Sequence, residues 1–141
     1  MRSFLRKLRG ALSIAVTWGG VWAAIFAAIA FVIGIVDPDS IDAGEGPVRI
    51  AGIGAMFGFI SGAVFAALFT ATEGRKTLRD LSLGRAALWG AVATAAFPLL
   101  TPVANSMLII FCPVGAALGA GFVAVAKRGE LTGAPEQPKL R

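Results

Sequence analysis

The chain has 141 residues, of which 57% are hydrophobic, and its mean hydropathy is +0.79. Its formal net charge is +5, and it contains one cysteine and no histidine, which excludes an intrachain disulfide and imidazole ligands for haem or a metal. Long apolar stretches without an alternating polar face also exclude an ordinary water-soluble globular domain.

Every charged residue lies outside three uncharged runs, which are residues 10–36, 50–72 and 86–126. A membrane-spanning helix needs about 20 apolar residues to cross about 30 Å of hydrocarbon, so each of the first two runs predicts one crossing. The third run is long enough for two. The sequence therefore predicts an all-α integral membrane protein, a four-helix bundle of residues 11–126 with little outside the bilayer.

Residues 1–10 form a basic lead-in in which apolar side chains separate the charged ones. The four basic residues are Arg2, Arg6, Lys7 and Arg9. Two interpretations stay open, a short interfacial helix leading into the first span and a basic flank without fixed structure. In both, these cations are expected to contact lipid headgroups or an acidic face of a partner. The apolar run that follows exceeds the core of a signal peptide, which predicts a retained anchor.

The first predicted span covers residues 11–36 and contains two tryptophans, Trp18 and Trp22, on one helical face. That face is expected to contact a neighbouring helix, lipid, or a bound apolar molecule, and the spacing does not choose between them. The two tryptophans are therefore the candidates for a peripheral contact with a pigment or lipid. Small residues also recur at every fourth position of this span: Ala11, Ala15, Gly19, Ala23 and Ala27.

The second predicted span, residues 48–72, carries a small residue at every fourth position, which makes a groove along one face. The groove consists of Gly54, Gly58, Gly62, Ala66 and Thr70. Lipid gives little hydrophobic driving force between helices, so small side chains that allow close backbone approach are typical of helix contacts. This contact lies either within the bundle or with a partner. The bulky residues opposite the groove are expected to face lipid or an apolar partner. They are Met56, Phe57, Phe59, Ile60, Phe65 and Phe69.

Residues 83–100 are predicted to form the third span. Ser82 precedes it as an N-cap, because a serine hydroxyl can accept a hydrogen bond from a backbone N–H of the first helical turn. Pro98 is expected to end this helix, because proline lacks the N–H that an α-helix needs.

The fourth span is predicted over residues 107–126, after a short uncharged turn. Two small-residue faces of this span are candidates for helix packing: Gly115 and Gly119, or Cys112, Ala116, Ala120 and Ala124. Pro113 is expected to kink the helix. Residues 127–141 form a polar tail that contains two prolines, and the tail is predicted to be extended and cytoplasmic.

The charge distribution predicts the orientation of the spans. Lys and Arg are concentrated in the lead-in, in the connector after the second span and in the tail, whereas the first connector is acidic. The positive-inside rule therefore places both termini and the second connector in the cytoplasm. An even number of crossings agrees with this orientation, and the predicted location is the bacterial inner membrane.

The sequence contains no catalytic arrangement. The uncharged runs offer no ionisable group to bind a substrate ion, and their hydroxyls can bond back to their own helices. The acidic connector departs from a calcium-binding loop, because Ile41 occupies the third ligand position. We therefore expect no enzyme activity, no metal, no ligated cofactor and no nucleic-acid partner.

Two segments resemble those of known proteins. The first is RSFLRKLRGALSIAVTWGGVW, which includes the lead-in, and the second, here called the joint, is GRKTLRDLSLGRAALWGAV. The chain resembles small bacterial inner-membrane proteins, among them accessory subunits found beside photosynthetic reaction centres and light-harvesting rings. This resemblance implies a scaffold between pigment-binding proteins, or a subunit that fills a gap in a ring. The lack of histidine fits a subunit that touches pigments without ligating them.

The leading hypothesis is a non-catalytic structural or accessory subunit of a larger bacterial inner-membrane complex, with photosynthetic assemblies as the implied case. Its expected partners are other membrane protein subunits and membrane lipids. The alternative is a homo-oligomeric small channel or permease-like protein, in which the glycine face of the second span lines or seals the assembly. A lipid-binding or envelope-stress protein is a third hypothesis. Its only support is the concentration of Lys and Arg on the predicted cytoplasmic side.

Overall fold

The computed structural model describes the backbone of residues 2–40, 46–74, 77, 80–100 and 108–133. These residues form four α-helices and one short 3-10 helix, Pro38–Ser40, which follows the first of them. The four are α1 (Arg2–Val36), α2 (Pro47–Glu73), α3 (Leu83–Leu100) and α4 (Leu108–Gly133). This confirms the predicted all-α fold and its number of helices. The predicted turn at 101–106 and the tail beyond 133 lie outside the described residues.

Local sequence signals explain several helix ends. Pro47 occupies the first position of α2, where its missing N–H removes no intrahelical hydrogen bond. At the other end of α2, the Gly74 N–H donates to the Thr70 carbonyl oxygen at 3.1 Å. The Arg85 N–H donates to Ser82 Oγ at 3.5 Å, which confirms Ser82 as the N-cap of α3.

Two helices extend further than the sequence predicts. α1 begins at Arg2, so the lead-in is helical and continuous with the first span rather than without fixed structure. α4 continues to Gly133, so the prediction of an extended tail from residue 127 is wrong over its first part. The residues after 126 include strong helix formers, and the first proline of the tail is Pro135.

Two prolines lie within helices. Pro98 is buried in the last turn of α3, and the helix has the predicted bounds and ends two residues later, at Leu100. A proline removes only its own N–H, and the residues after it can still donate to earlier carbonyls. Pro113 lies in the second turn of α4, and the kink expected there stays a prediction.

The four helices pair as two antiparallel hairpins, α1 with α2 and α3 with α4. In the first hairpin, Ala15 lies against Gly62 while Phe26, further along α1, lies against Gly54, nearer the start of α2. The second hairpin has the same arrangement between Ala86 and Gly119 and between Gly90 and Gly115. Glycine contacts therefore hold each hairpin together.

The two hairpins meet along a layer of aromatic rings, here called the aromatic seam. Trp22 of α1, Phe57 of α2 and Phe111 of α4 have ring centroids 4.8 to 5.0 Å apart. Each such pair contributes about 0.5–1.5 kcal/mol beyond the area that it buries. The seam consists of Trp18, Trp22, Phe26, Phe57, Phe65, Phe69 and Phe111.

The outside of the bundle is apolar. Among the described residues, three helices are long and apolar enough to cross a membrane, in the segments Leu8–Val36, Pro47–Glu73 and Leu108–Gly129. Large side chains such as Phe31 and Ile109 are exposed on their surfaces. α3 has 18 residues and is therefore about 27 Å long. Exposed apolar surface on this scale is typical of proteins that lipid surrounds, so the chain has the character of a membrane protein.

Candidate functional site

α1 fills the glycine groove of α2. A Cβ atom added at Gly54 would lie 2.7 Å from the Trp22 carbonyl oxygen, and one added at Gly58 would lie 2.5 Å from that of Trp18. Real Cβ atoms do not approach an oxygen this closely, so glycine is what allows the two helices to lie so near each other. The helix contact predicted for this face is made within the chain. Of the remaining groove residues, Gly62 and Ala66 are also buried, whereas Thr70 is exposed.

The glycines of α4 have the same role against α3. A Cβ atom added at Gly115 would lie 2.5 Å from the Gly90 carbonyl oxygen, and one added at Gly119 would collide with that of Ala86. Phe65 of α2 also lies 3.2 Å from that position at Gly119. The two glycines therefore face the interior of the bundle, where α2, α3 and α4 meet.

Hydroxyl groups in the helices bond to backbone carbonyls, as the sequence predicts. Ser61 Oγ and Thr17 Oγ1 donate to the carbonyls four residues earlier, at 2.8 Å and 2.9 Å. Thr94 differs, because its Oγ1 lies within reach of Gly90 in its own helix, at 3.0 Å, and of Phe111 in α4, at 3.1 Å. Thr94 therefore offers the second hairpin a polar contact in addition to its glycines.

The two tryptophans lie inside the bundle, with Trp18 1% and Trp22 0% exposed. Trp18 stacks on Phe65 with ring centroids 5.1 Å apart, and Trp22 makes a T-shaped contact with Phe57. Their rings leave no surface for the lipid or pigment contact expected at these positions, and neighbouring helices take its place. Of the bulky α2 residues expected to face lipid or a partner, Met56, Phe59 and Ile60 are exposed. Phe57 and Phe65 are instead buried, because large rings fill the space between the hairpins.

A buried ion pair at one end of the bundle was missed by the sequence analysis. Glu73 is 3% exposed, and its Oε1 accepts a hydrogen bond of 2.9 Å from Arg85 Nη1. The pair ties the last residue of α2 to the first turn of α3. The available signal was an acid at the end of one uncharged run and an arginine immediately before the next.

The basic lead-in forms the first turns of α1. Arg9 is exposed, whereas the side chains of Arg2, Arg6 and Lys7 lie outside the described residues. Because their backbone is helical, all four cations belong to the same end of the first hairpin. Their contact with lipid headgroups or an acidic partner stays a prediction.

The face of α1 that points away from α2 is lined by small residues and is here called the outer stripe. All its members are exposed, and a Cβ atom added at Gly20 would meet nothing within 4 Å. This face is not among the sequence predictions, although its spacing of three and four residues could have indicated it. The outer stripe consists of Ser13, Thr17, Gly20, Ala24 and Ala28.

A second outward feature is a groove between α1 and α2, here called the side groove, with a volume of about 510 Å³. Leu8, Leu12 and Phe59 supply its bulky lining, and alanines supply most of the rest. Thr70 adds one hydroxyl group at the end near the lead-in. Its volume lies in the range of about 300–1,000 Å³ that is typical of small-molecule sites.

Within the described residues, no group of three or more His, Cys, Asp or Glu side chains is placed to hold a metal ion. No protein-family model, curated protein or solved structure matches this chain.

Proposed function

We propose that the chain is a non-catalytic accessory subunit of a larger complex in a bacterial inner membrane, and that it contacts a transmembrane helix of a partner through the outer stripe. It crosses the membrane four times, α3 included, with both termini in the cytoplasm. The positive-inside distribution of Lys and Arg supports this orientation.

The observation that carries this proposal is the outer stripe. From Ser13 to Ala28 it extends about 23 Å along α1, most of the thickness of a bilayer core. Small side chains allow helices to approach closely in lipid, whereas lipid itself requires no such surface. Exposed bulky residues such as Val16 and Val32 lie beside the stripe on α1, and Phe31 follows its last small residue on the same face. A continuous small-residue face along α1 fits a helix of another subunit.

The glycine face of α2 is already occupied by α1, so a homo-oligomer sealed by Gly54, Gly58 and Gly62 would require α1 to leave the hairpin. The resemblance of the lead-in and the joint makes a photosynthetic reaction-centre or light-harvesting assembly the first complex to examine. Peripheral contact with pigments or lipids in such an assembly would fall on the exposed surfaces, because Trp18 and Trp22 are buried.

The proposal is tested by replacing Gly20 and Ala24 together with leucine. The two added side chains project from the outer stripe and hold a partner helix away, while the packing inside the chain is untouched. We expect the wild-type chain to purify in mild detergent with a larger complex and the double variant to be recovered alone.

The matched control is Ala117→Leu, which places the same side chain at an exposed position of α4. It should co-purify like the wild type, and both variants should retain the wild-type helical content. Co-purification of the double variant, or recovery of the wild type only as a free monomer, would contradict the proposal. A disulfide between two copies that each carry Ala24→Cys would show that the stripe binds a second copy instead.

A further inference from the structure

Along the helix axes, the side groove is shorter than the hydrocarbon core of a membrane is thick. On α2 its lining runs from Phe59 to Ala71, about 18 Å of helix, and on α1 it runs only from Leu8 to Ala15. The hydrocarbon core of a bilayer is about 30 Å thick, so the groove corresponds to one leaflet. A partner helix that crosses the membrane would need a longer surface, such as the outer stripe.

The inner end of the groove is closed. A Cβ atom added at Gly19 would lie 3.1 Å from the Ala55 carbonyl oxygen and 3.7 Å from the Cβ of Phe59, so α1 and α2 touch there. Phe59 is also the innermost α2 residue of the lining. An acyl chain in this groove would enter from one membrane surface and end near the midplane.

The open end of the groove is the basic end of the hairpin. Leu8 lines the groove, and exposed Arg9 follows it on α1. The first nine residues contain four cations and no acid, whereas the opposite end of α1 leads to Asp37 and Asp39. Basic sites between membrane helices on the cytoplasmic side attract anionic headgroups. The positive charge of the lead-in therefore favours a negatively charged lipid at this end of the groove.

We infer that the side groove holds an acyl chain of an anionic phospholipid from the leaflet at the basic end, with its headgroup on the lead-in cations. The alanines leave room for the acyl chain between α1 and α2, and Leu8, Leu12 and Phe59 contact it. Thr70 supplies a hydroxyl near the level of the lipid's ester groups. This inference rests on the proposed membrane insertion and orientation, and it is independent of the partner subunit.

The test reconstitutes the full chain in phosphatidylcholine bilayers that contain a small fraction of phosphatidylglycerol with a photoactivatable acyl chain. We expect crosslinks concentrated on the lining, in residues 8–15 and 59–71. Ala67→Phe fills the groove from an exposed lining position and should lower this crosslinking about tenfold, the loss expected when a bound chain is displaced. Ala117→Phe, at an exposed position of α4, is the matched control and should leave crosslinking unchanged.

The headgroup is tested separately with the triple variant Arg6→Gln, Lys7→Gln and Arg9→Gln. Each removed cation should lower the preference for phosphatidylglycerol over a photoactivatable phosphatidylcholine of the same chains, by about fivefold per residue. Equal crosslinking of wild type and Ala67→Phe, or equal labelling around the whole bundle, would overturn the inference. Failure of membrane insertion gives a different result, because lipid crosslinks would then be missing from exposed Phe31 and Ile109 as well.

Discussion

Gly58 marks the point of closest approach between α1 and α2. The position of an added Cβ atom lies 2.5 Å from the Trp18 carbonyl oxygen and 2.8 Å from the Cβ of Trp22, so any side chain there must push α1 away. Both obstructing atoms belong to the backbone or to the stem of a buried ring, and neither can rotate aside.

We expect Gly58→Ala to lower the stability of the bundle in detergent by about 1–3 kcal/mol, the usual effect of overpacking, and Gly58→Leu to lower it further. The measurement is thermal loss of helical structure followed by circular dichroism. Gly52→Ala is the control in the same helix, because a Cβ atom at Gly52 meets nothing within 4 Å. If the two alanine variants were equally stable, the close contact between α1 and α2 would be disproved.

At the scale of residues, the sequence identified the small positions of α2 and α4 but not what covers them. A stripe of glycines predicts that another helix packs closely against it, but only the fold shows which helix that is. The tryptophans show the same limit, because helical spacing placed them on one face without showing that Phe111, far away in sequence, would cover it. In α1 the small residues lie on two faces, and only packing against α2 separates the inner face, with Ala15 and Gly19, from the outer stripe.

At the scale of helices, the ion pair between Glu73 and Arg85 connects the hairpins at their basic end. Loss of the arginine leaves a carboxylate that is almost fully buried without this partner, which is costly. The arginine itself is more than half exposed, so solvent screens part of the interaction.

A double-mutant cycle with Glu73→Gln and Arg85→Gln should give a coupling energy of about 1–2 kcal/mol, between the values for surface and buried pairs. The measurement is the unfolding free energy of the four proteins in the same detergent. The coupling should shrink only slightly in high salt, because one partner is shielded from solvent. A coupling near zero would show that the pair does not hold α2 to α3.

The positions of the helices could be predicted from the uncharged runs, whereas their exact ends could not. The predicted second span, 48–72, differs from α2 by one residue at each end, because Pro47 and Gly74 are unambiguous signals. The predicted end of α4 lies too early, because the charged residues after Ala126 do not end the helix. Lys, Arg and Glu are good helix formers, so a helix can leave the apolar layer and continue in its polar surroundings.

At the scale of the whole molecule, the number of crossings decides where the ends lie. α3 is the shortest of the four helices. If α3 failed to cross, the residues after α4 would lie on the opposite side of the membrane from the basic connector between α2 and α3. The orientation can therefore be read from three labelled positions.

We expect Asp39→Cys to react with a membrane-impermeant thiol reagent in intact cells, and Thr77→Cys and Gly129→Cys to react only after the cells are opened. Each change is made in a Cys112→Ala background, so that the added thiol is the only one. Labelling of Gly129→Cys in intact cells together with a protected Thr77→Cys would show three crossings. A protected Asp39→Cys with the other two accessible would show the opposite orientation.

The aromatic seam also gives this protein an internal optical reporter. The chain has three tryptophans and no tyrosine, and two of the three indoles lie within the seam while Trp89 packs beside it. Its ultraviolet emission therefore originates where the hairpins join. Any separation of the hairpins brings those indoles into a different environment, so the wavelength of the emitted light follows the opening of the bundle without an added dye.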